Sequence, residues 1–255
     1  MTWLEDSFGL TGRTALVTGA RTGIGRACAV ALANAGADLV LWGRSEGDCV
    51  EVAAEVRRIG REARCVAAPV DDREALERTA VELLDEMRID VLVNNAGTIR
   101  RSPAAQMSLQ DWDQVRAVNL DATFLLTQLF GSAMVERGAG SVITIASLLS
   151  FQGGINVAGY TATKHAVAGL TKAFANEWAA RGVNVNAVAP GYVITTNTDA
   201  LRADADRHAA ITARIPAGRW AEPADIAPAV VFLAGAGASY LHGEVITVDG
   251  GWMAR

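Results

Sequence analysis

The sequence predicts a doubly wound, three-layer α/β fold of the Rossmann type, in which helices cover both faces of a seven-stranded parallel sheet. Short runs rich in Val, Ile and Leu alternate along the chain with longer segments of helical period. Several of these runs are apolar at nearly every position, which is typical of parallel strands covered on both faces. A glycine-rich turn follows the first run. In such sheets ligands bind at the carboxyl ends of the strands.

The order of the elements follows from these patterns. The seven expected strands cover residues 14–18, 37–42, 64–70, 89–93, 141–146, 183–188 and 245–248. Helical periodicity predicts crossover helices that include residues 25–35, 48–59, 73–86, 109–134 and 161–180. Gly36 and Gly182 fall where helices end and where a positive φ is favoured. No linker interrupts the 255 residues, so we expect a single domain over residues 1–255.

Composition excludes several classes of protein. A net charge of −5 and the lack of a Lys/Arg run argue against a nucleic-acid partner. The N-terminus has no basic region followed by an apolar stretch, and no run of about 20 apolar residues stands out, so neither a secretory signal nor a membrane span is expected. Cys28, Cys49 and Cys65 are scattered, as are the three histidines. This spacing predicts buried, reduced cysteines, a cytoplasmic setting and no metal site.

The first strand-to-helix turn carries Gly19, Gly23 and Gly25, with the spacing G-x-x-x-G-x-G. Glycines at these positions let the backbone turn sharply and bring its N–H groups close to a diphosphate. A glycine-rich turn is also found as a simple tight connection. Its position between a strand and a helix favours a dinucleotide site.

The residues after the second strand distinguish two nicotinamide cofactors. An acidic residue there would bind an adenosine ribose and repel a 2′-phosphate, whereas this chain has Gly43, Arg44 and Ser45. Arg44 can pair with a phosphate, which favours NADP as the cofactor, with NAD as the alternative. The other interpretation of Arg44 is an ordinary exposed arginine without a ligand. Asp71, after the third strand, is placed to contact adenine, although Asp72 and a helix-capping role compete for that assignment.

Four residues that handle protons complete the predicted site. Tyr160 and Lys164 are four residues apart, which puts them on one face of a helix, and the cation is expected to favour the phenolate. Ser147 follows an apolar strand and can hold the reacting oxygen. Asn119 is polar within an apolar helical stretch, which suggests a proton relay through water. A Tyr–Lys pair alone is common in helices, but this set indicates hydride transfer at a carbonyl or alcohol carbon.

On these motifs the chain resembles the short-chain dehydrogenase/reductase family over essentially its whole length. The resemblance rests on residues 18–25, 94–97, 119, 147, 160–164 and 190–195. It implies a catalytic tetrad of Asn119, Ser147, Tyr160 and Lys164, and a homotetramer in which the chain ends near Trp252 pack against neighbouring subunits. With the positional assignments above, the expected cofactor site comprises Gly19, Arg21, Thr22, Gly23, Ile24, Gly25, Arg44, Asp71, Asn95, Ala96, Gly97, Tyr160, Lys164, Pro190, Gly191, Val193 and Thr195.

A narrower resemblance concerns the substrate. Residues 98–101, 147–154, 195–198 and 214–220 are similar to the 2-deoxy-D-gluconate 3-dehydrogenases, a group that also covers 2-dehydro-3-deoxy-D-gluconate 5-dehydrogenases and has gluconate 5-dehydrogenases as close relatives. This implies a sugar-acid substrate, with Ser147 at the reacting oxygen. Arg100 and Arg101 follow the fourth strand and are placed to bind a carboxylate. A subunit salt bridge or solvent exposure is the alternative for each arginine.

The segment 192–219 lies between Gly191 and Gly218 and is expected to order over the substrate as a lid, with a surface excursion containing a short helix over 199–213 as the alternative.

Two other functions are weighed against a sugar-acid oxidoreductase. A 3-oxoacyl thioester reductase would need a basic patch for an acidic carrier, and no strong patch is present. A non-catalytic cofactor-binding sensor would be expected to lack Tyr160 or Lys164.

Overall fold

A computed structural model describes residues 2–255 and confirms the doubly wound α/β architecture. All seven strands are parallel and form one sheet. The strands are β1 (Thr14–Thr18), β2 (Asp38–Gly43), β3 (Ala63–Ala67), β4 (Val91–Asn94), β5 (Gly140–Ile145), β6 (Val183–Pro190) and β7 (Val245–Val248). Their order across the sheet is β3-β2-β1-β4-β5-β6-β7, so the direction of winding reverses between β1 and β4.

Ten α-helices occur in the described part of the chain, residues 2–255. They are α1 (Trp3–Phe8), α2 (Gly23–Asn34), α3 (Val50–Arg58), α4 (Arg73–Glu86), α5 (Leu109–Arg116), α6 (Ala122–Arg137), α7 (Ala158–Trp178), α8 (Asp199–Ala203), α9 (Ala205–Arg214) and α10 (Pro223–Ala234). Helices α1 and α10 were not predicted from the sequence patterns. Pro223 occupies the first turn of α10, where its missing N–H costs nothing.

Two apolar cores, one on each face of the sheet, explain why the strands are apolar at successive positions. Side chains alternate between faces along a strand. Val17 of β1 belongs to the core under α2, α3 and α10, whereas the adjacent Leu16 belongs to the core under α4 and α6. Both are fully buried. Burying both faces requires this run of aliphatic residues.

Three sequence-based details differ from the structure. The third strand was predicted over 64–70 but ends at Ala67; Pro69 follows, and proline has no N–H to donate to a neighbouring strand. The helix predicted over 109–134 is interrupted by a π-helical turn, Ala117–Asp121. Cys28 and Cys49 are buried as expected, whereas Cys65 is exposed, because β3 is the edge strand of the sheet.

The helical stretch Leu109–Arg137 is long and apolar enough to cross a membrane by length and composition, which the sequence analysis had not recognised. Within its most apolar window, 56% of the residues are buried inside the protein. Phe130 and Met134 of α6 are fully buried against the sheet and α4. The stretch is therefore a core element of this fold.

The segment 192–219 leaves the carboxyl end of β6 and contains α8 and α9. A single helix over 199–213 was weighed from the sequence, but two helices are found, because Asp204 interrupts them. Its carboxylate accepts a hydrogen bond from the Arg207 N–H at 3.0 Å and so caps α9. Both helices lie over the carboxyl edge of the sheet, beside the side chains that follow β5 and β6.

Candidate active site

The glycine turn after β1 lies at the point where the winding of the sheet reverses. Gly19 and Gly23 have φ angles of +64° and +57°, which disfavour a side chain. A Cβ atom at Gly25 would lie 2.3 Å from the Gly19 carbonyl oxygen, so the turn packs directly against itself. Thr22, the N-cap of α2, makes no side-chain capping bond. The first N–H groups of α2 therefore remain available to an anion, as a dinucleotide phosphate requires.

Asn95 joins the glycine turn to the end of β4. Its Nδ2 donates to the carbonyl oxygens of Thr18 at 2.8 Å and Gly19 at 3.2 Å. In return, the Thr18 hydroxyl accepts from the N–H groups of Asn95 and Ala96 at 3.0 Å and 2.9 Å. These bonds fix the two sides of the crevice relative to each other, and they hold the loop after β4 beside the turn.

Three adjoining cavities form one cleft along the carboxyl edge of the sheet. The central cavity, of about 250 Å³, has the glycine turn on one side and Ser147, Tyr160 and Lys164 on the other. A second cavity, of about 510 Å³, continues from the turn towards Arg21 and Arg44. The third, of about 340 Å³, begins at Ser147 and Tyr160 and extends under the segment 192–219. The cleft thus connects the two arginines to the Ser–Tyr–Lys group.

All of the predicted cofactor residues except Asp71 line this cleft. Arg21 and Arg44 line the second cavity. Those that line the central cavity are Gly19, Thr22, Gly23, Ile24, Gly25, Asn95, Ala96, Gly97, Tyr160, Lys164, Pro190, Gly191, Val193 and Thr195. The structure also brings Thr196, Asn197 and Thr198 to this cavity, which the sequence analysis did not assign to it.

Asp71 lies next to Arg44. Its Oδ2 is 3.9 Å from a guanidinium nitrogen of Arg44 and accepts a hydrogen bond from Gln114 at 2.7 Å. The other oxygen, Oδ1, is buried and has no hydrogen-bond partner in residues 2–255. Asp72, the competing candidate, caps α4 by accepting from the Ala75 N–H at 3.1 Å. The capping role therefore belongs to Asp72, and Asp71 is left for another contact.

Arg44 follows β2 and has 69% of its side chain exposed, so its guanidinium can reach a ligand in the second cavity. The loop that carries it is held by Asp48, whose carboxylate accepts from the N–H groups of Arg44 and Ser45 at 2.9 Å and 3.1 Å. Arg21 is 3.8 Å from the same carboxylate. No carboxylate occupies the position directly after β2, where it would repel a phosphate.

Lys164 and Tyr160 meet on one face of α7, as the four-residue spacing predicts. The ammonium nitrogen is 5.5 Å from the centre of the Tyr160 ring. It donates to the Ile145 carbonyl at the end of β5, at 2.7 Å. Lys164 is buried, and burial lowers its pKa to about 8. Its proton is therefore held far less tightly than that of an exposed lysine.

The expected lowering of the Tyr160 pKa is wrong for this structure. Burial raises the pKa of Tyr160 above its ordinary value, against the opposing effects of a hydrogen bond with Ser147 and the charge of Arg101. Burial prevails because a phenolate in this pocket loses its hydration, while Lys164 directs its ammonium to a backbone carbonyl. At neutral pH the phenol is protonated, which is the form that donates a proton.

Ser147 lies two residues after the end of β5 and has an extended backbone. Its Oγ accepts a hydrogen bond from the Leu149 N–H at 3.1 Å, which leaves the hydroxyl proton free to donate. Ser147 and Tyr160 line both the central and the third cavity. An oxygen atom at the boundary of these cavities would meet both hydroxyl groups.

Asn119 lies in the π-helical turn between α5 and α6 and is buried. Its Oδ1 accepts from the Thr98 N–H at 2.8 Å, and its Nδ2 donates to the Thr98 carbonyl at 2.9 Å and to Thr163 Oγ1 at 3.3 Å. The amide thus clamps the loop after β4 to α7. The proton relay remains a prediction. π-Turns of this kind often mark functional sites.

The two adjacent arginines after β4 have different environments. Arg101 lines the third cavity and donates to the Asn197 carbonyl of segment 192–219 at 2.9 Å. Arg100 is not among the residues lining that cavity, and its Nε is 3.5 Å from the Asp111 carboxylate. The structure thus brings Arg101 to the site and directs Arg100 to an ion pair.

The third cavity has further lining residues that were not among the predicted substrate contacts, including Tyr192, Arg207, Arg214 and Trp252. Trp252 is buried within its own chain and lies 4.8 Å from the Tyr192 ring, measured between centroids. No local pattern links a residue near the chain end to this cavity. Arg214 lies in the stretch 214–220 that carries the substrate resemblance, and the seven-residue spacing of Arg207 and Arg214, which puts them on one helix face, is a second signal.

Comparison with known proteins agrees with this geometry. The sequence profile of one family, described as enoyl-(acyl carrier protein) reductase, matches residues 19–253. The chain is 50% identical to a 2-dehydro-3-deoxy-D-gluconate 5-dehydrogenase of Bacillus subtilis (strain 168), covering 100% of both chains. A solved structure from Beutenbergia cavernae, described as an NAD(P)-dependent gluconate 5-dehydrogenase with NADP bound, is 57% identical with a TM-score of 0.96, covering 98% of this chain and 100% of that one.

A second solved structure, from Agrobacterium tumefaciens, is described as a 2-deoxy-D-gluconate 3-dehydrogenase with NADP bound. It is 52% identical with a TM-score of 0.91, covering 98% of this chain and 100% of that one. The doubly wound sheet and the Ser–Tyr–Lys cleft at its carboxyl edge define the class of nicotinamide-dependent oxidoreductases. Within that class, the chain belongs to the short-chain dehydrogenase/reductase family.

Proposed function

We propose that the chain transfers hydride between NADP(H), with NAD(H) as the alternative, and a secondary alcohol or ketone of a gluconate-type sugar acid. One observation carries the proposal. Ser147 and Tyr160 lie where the central cavity, with its glycine turn, meets the third cavity, and the third cavity is lined by three arginines and by no acidic residue. The first suits a dinucleotide phosphate and the second an anionic substrate. The names of the relatives support the same substrate class.

The proposed chemistry divides among four residues. A nicotinamide held in the central cavity would supply the hydride-transfer chemistry. Ser147 donates a hydrogen bond to the reacting oxygen, and Tyr160 gives that oxygen a proton in reduction and removes one in oxidation. The Lys164 ammonium, 5.5 Å from the phenol ring, stabilises negative charge on the phenolate. Asn119 holds the loop after β4, and its predicted relay would return protons to Tyr160 and Lys164 from water.

The cofactor contacts extend along the same cleft. The glycine turn, Thr22 and Ile24 would receive the diphosphate at the N-terminus of α2. Arg44 and Arg21 would bind the 2′-phosphate, and Asp71, with its free buried oxygen, would meet the adenine. The nicotinamide end would lie among Asn95, Ala96, Gly97, Tyr160, Lys164, Pro190, Gly191, Val193 and Thr195.

Replacing Arg44 tests the cofactor assignment. Arg44→Gln is expected to weaken NADPH binding about tenfold and to leave NADH binding unchanged, because a charged hydrogen bond to the 2′-phosphate would be lost from a partly solvated site. Fluorescence titration of each reduced cofactor measures both constants. Arg73→Gln, which removes an exposed arginine on α4, is the control. Equal losses for the two cofactors would contradict the assignment.

The segment 192–219 is proposed as a lid of the single domain. It supplies one wall of the substrate cavity, and Arg101 joins its Asn197 carbonyl to the loop after β4. The buried cluster of Ile211, Ile215 and Trp252 gives the segment an apolar attachment to the chain. Closure over a bound substrate would exclude water during hydride transfer.

A homotetramer and a cytoplasmic setting are proposed as well. Leu109, Trp112 and Phe124, on α5 and α6, are exposed hydrophobic residues that a neighbouring subunit could cover. Trp252, by contrast, is already buried within its own chain, so a contact near the chain end would use other atoms. The three cysteines are free, which suits a reducing compartment. Light scattering should give four times the mass of the chain; a monomer would contradict the assembly.

Reduced-nicotinamide absorbance of the purified protein tests the main proposal. The panel contains gluconate-type acids, their keto acids and a 3-oxoacyl thioester, each with NADP and NAD. Turnover of the sugar acids is expected. Turnover of the thioester alone would favour the alternative 3-oxoacyl thioester reductase. Binding of NADPH without any turnover would favour the sensor.

A further inference from the structure

The third cavity has an unbalanced positive charge. Arg101, Arg207 and Arg214 line it, no Asp or Glu lines it, and none of the three forms a salt bridge with a carboxylate in residues 2–255. Neighbouring arginines behave differently, since Arg100 pairs with Asp111, and Arg202 pairs with Asp199. In a chain of net charge −5, three unpaired guanidinium groups around one cavity point to an anionic ligand.

Helix α9 directs two of these arginines to the same place. Arg207, Ile211 and Arg214 have the spacing i, i+4 and i+7, which places them along one face of the helix. Ile211 is buried in the cluster that contains Leu148 and Trp252, so this face packs towards the cavity. The two guanidinium groups therefore flank an apolar residue that fixes the orientation of the helix.

Arg214 is held in position by the end of the chain. Its guanidinium carbon lies 3.9 Å from the centre of the Trp252 ring. Arg255 donates to the carbonyl oxygens of Ala213 at 2.9 Å and Arg214 at 2.6 Å, and thus caps the C-terminus of α9. A guanidinium stacked on a ring keeps its in-plane N–H donors free for a carboxylate. Because the side chain is already ordered, binding costs little conformational entropy.

The arginines reach the cavity from two segments: Arg101 from the loop after β4, and Arg207 and Arg214 from α9. Arg101 is near the reacting groups, since its charge acts on Tyr160. Burial raises the pKa of Tyr192, and the charges that oppose this rise are those of Arg207 and Arg214. Tyr192 contacts Trp252, on which Arg214 stacks. Arg207 and Arg214 thus belong to the wall formed by the lid and the chain end.

We propose that Arg207 and Arg214 bind the carboxylate of the substrate, so that its anionic end lies against the lid while a carbon several bonds away reacts at Ser147 and Tyr160. The inference rests on the proposed function, since it places a sugar acid in this cavity. It also gives the lid a direct contact with the substrate, because the carboxylate would bind two arginines of α9. Arg101 remains the cation at the reacting end.

The experiment compares a gluconate-type acid with the alditol of the same carbon skeleton, in which a hydroxymethyl group replaces the carboxylate. Arg207→Gln and Arg214→Gln should each lower kcat/KM for the acid about ten- to hundredfold, the effect of losing a charged hydrogen bond, with little change for the alditol. Arg214→Lys, which keeps the charge without the planar fork, should lose less. Arg202→Gln, in the same segment but paired with Asp199 outside the cavity lining, is the matched control.

Product analysis of the unmodified protein provides an independent measurement. Nuclear magnetic resonance should show the new ketone at C3 or beyond and not at C2, and short 2-hydroxy acids should not react. A ketone at C2, equal losses for acid and alditol, or an Arg202→Gln effect as large as that of Arg214→Gln would overturn the inference. If the protein oxidises neither acid nor alditol, the proposed function fails instead. Melting temperatures verify that each variant is folded.

Discussion

Tyr160→Phe is expected to lower turnover in both directions by at least about a hundredfold, the usual contribution of a positioned acid or base. The substitution removes the hydroxyl that lies at the boundary of the cofactor and substrate cavities and keeps the ring that packs beside Lys164. NADPH affinity should therefore be retained. Steady-state kinetics and fluorescence titration measure the two quantities on the same preparation.

The control for this variant is Tyr240→Phe, because Tyr240 is 98% exposed and lies outside the cleft. The sign of the pH dependence is a further check. Burial raises the pKa of Tyr160, so the protonated acid needed for ketone reduction persists through neutral pH and is lost only in alkaline solution. Oxidation, which needs the phenolate, should accelerate as pH rises. Unchanged turnover in Tyr160→Phe would contradict the proposed chemistry.

Lys164→Met is expected to reduce turnover as severely as the tyrosine change while leaving the melting temperature at pH 7 no lower. The ammonium that stabilises the phenolate is lost, which slows proton transfer. Stability responds differently, because burial lowers the pKa of Lys164 from 10.5 to about 8. Keeping a charged lysine in this pocket costs free energy, and methionine removes that cost. The methionine variant also lacks the hydrogen bond from Lys164 to the Ile145 carbonyl, and this loss lowers the stability.

The pH dependence of unfolding isolates the lysine. Between pH 8 and 10.5 the unfolded chain binds more protons at Lys164 than the folded chain, so this group makes the folded protein more stable as pH rises through that window. In denaturant titrations, the free energy of unfolding of Lys164→Met should therefore lack this contribution to the rise with pH. Lys172→Met, at an exposed lysine of the same helix, should retain both the pH slope and the turnover. A large fall in melting temperature for Lys164→Met would contradict this account.

Much of the fold was predictable because its determinants are local. Apolar strands such as Ala15–Val17, buried at every position, can be recognised from composition alone. The Tyr160–Lys164 spacing places both side chains on one face of any α-helix. The π-turn at Asn119 was not predictable, since its sequence is compatible with a regular helix. The position of Arg44 at the carboxyl end of β2 was predicted, because chain order alone places it directly after that strand.

Local sequence was enough to establish the class of fold, the glycine turn and the Ser–Tyr–Lys set, since each depends on residues close together in the chain or on the fixed ends of parallel strands. Long-range packing established the other properties of the site. It placed Arg101, but not the adjacent Arg100, in the lining of the third cavity. It also raised the pKa of Tyr160 by burial and brought Arg214 against Trp252. These properties depend on which distant segments exclude water or supply a partner, and burial and tertiary contacts have no local sequence pattern.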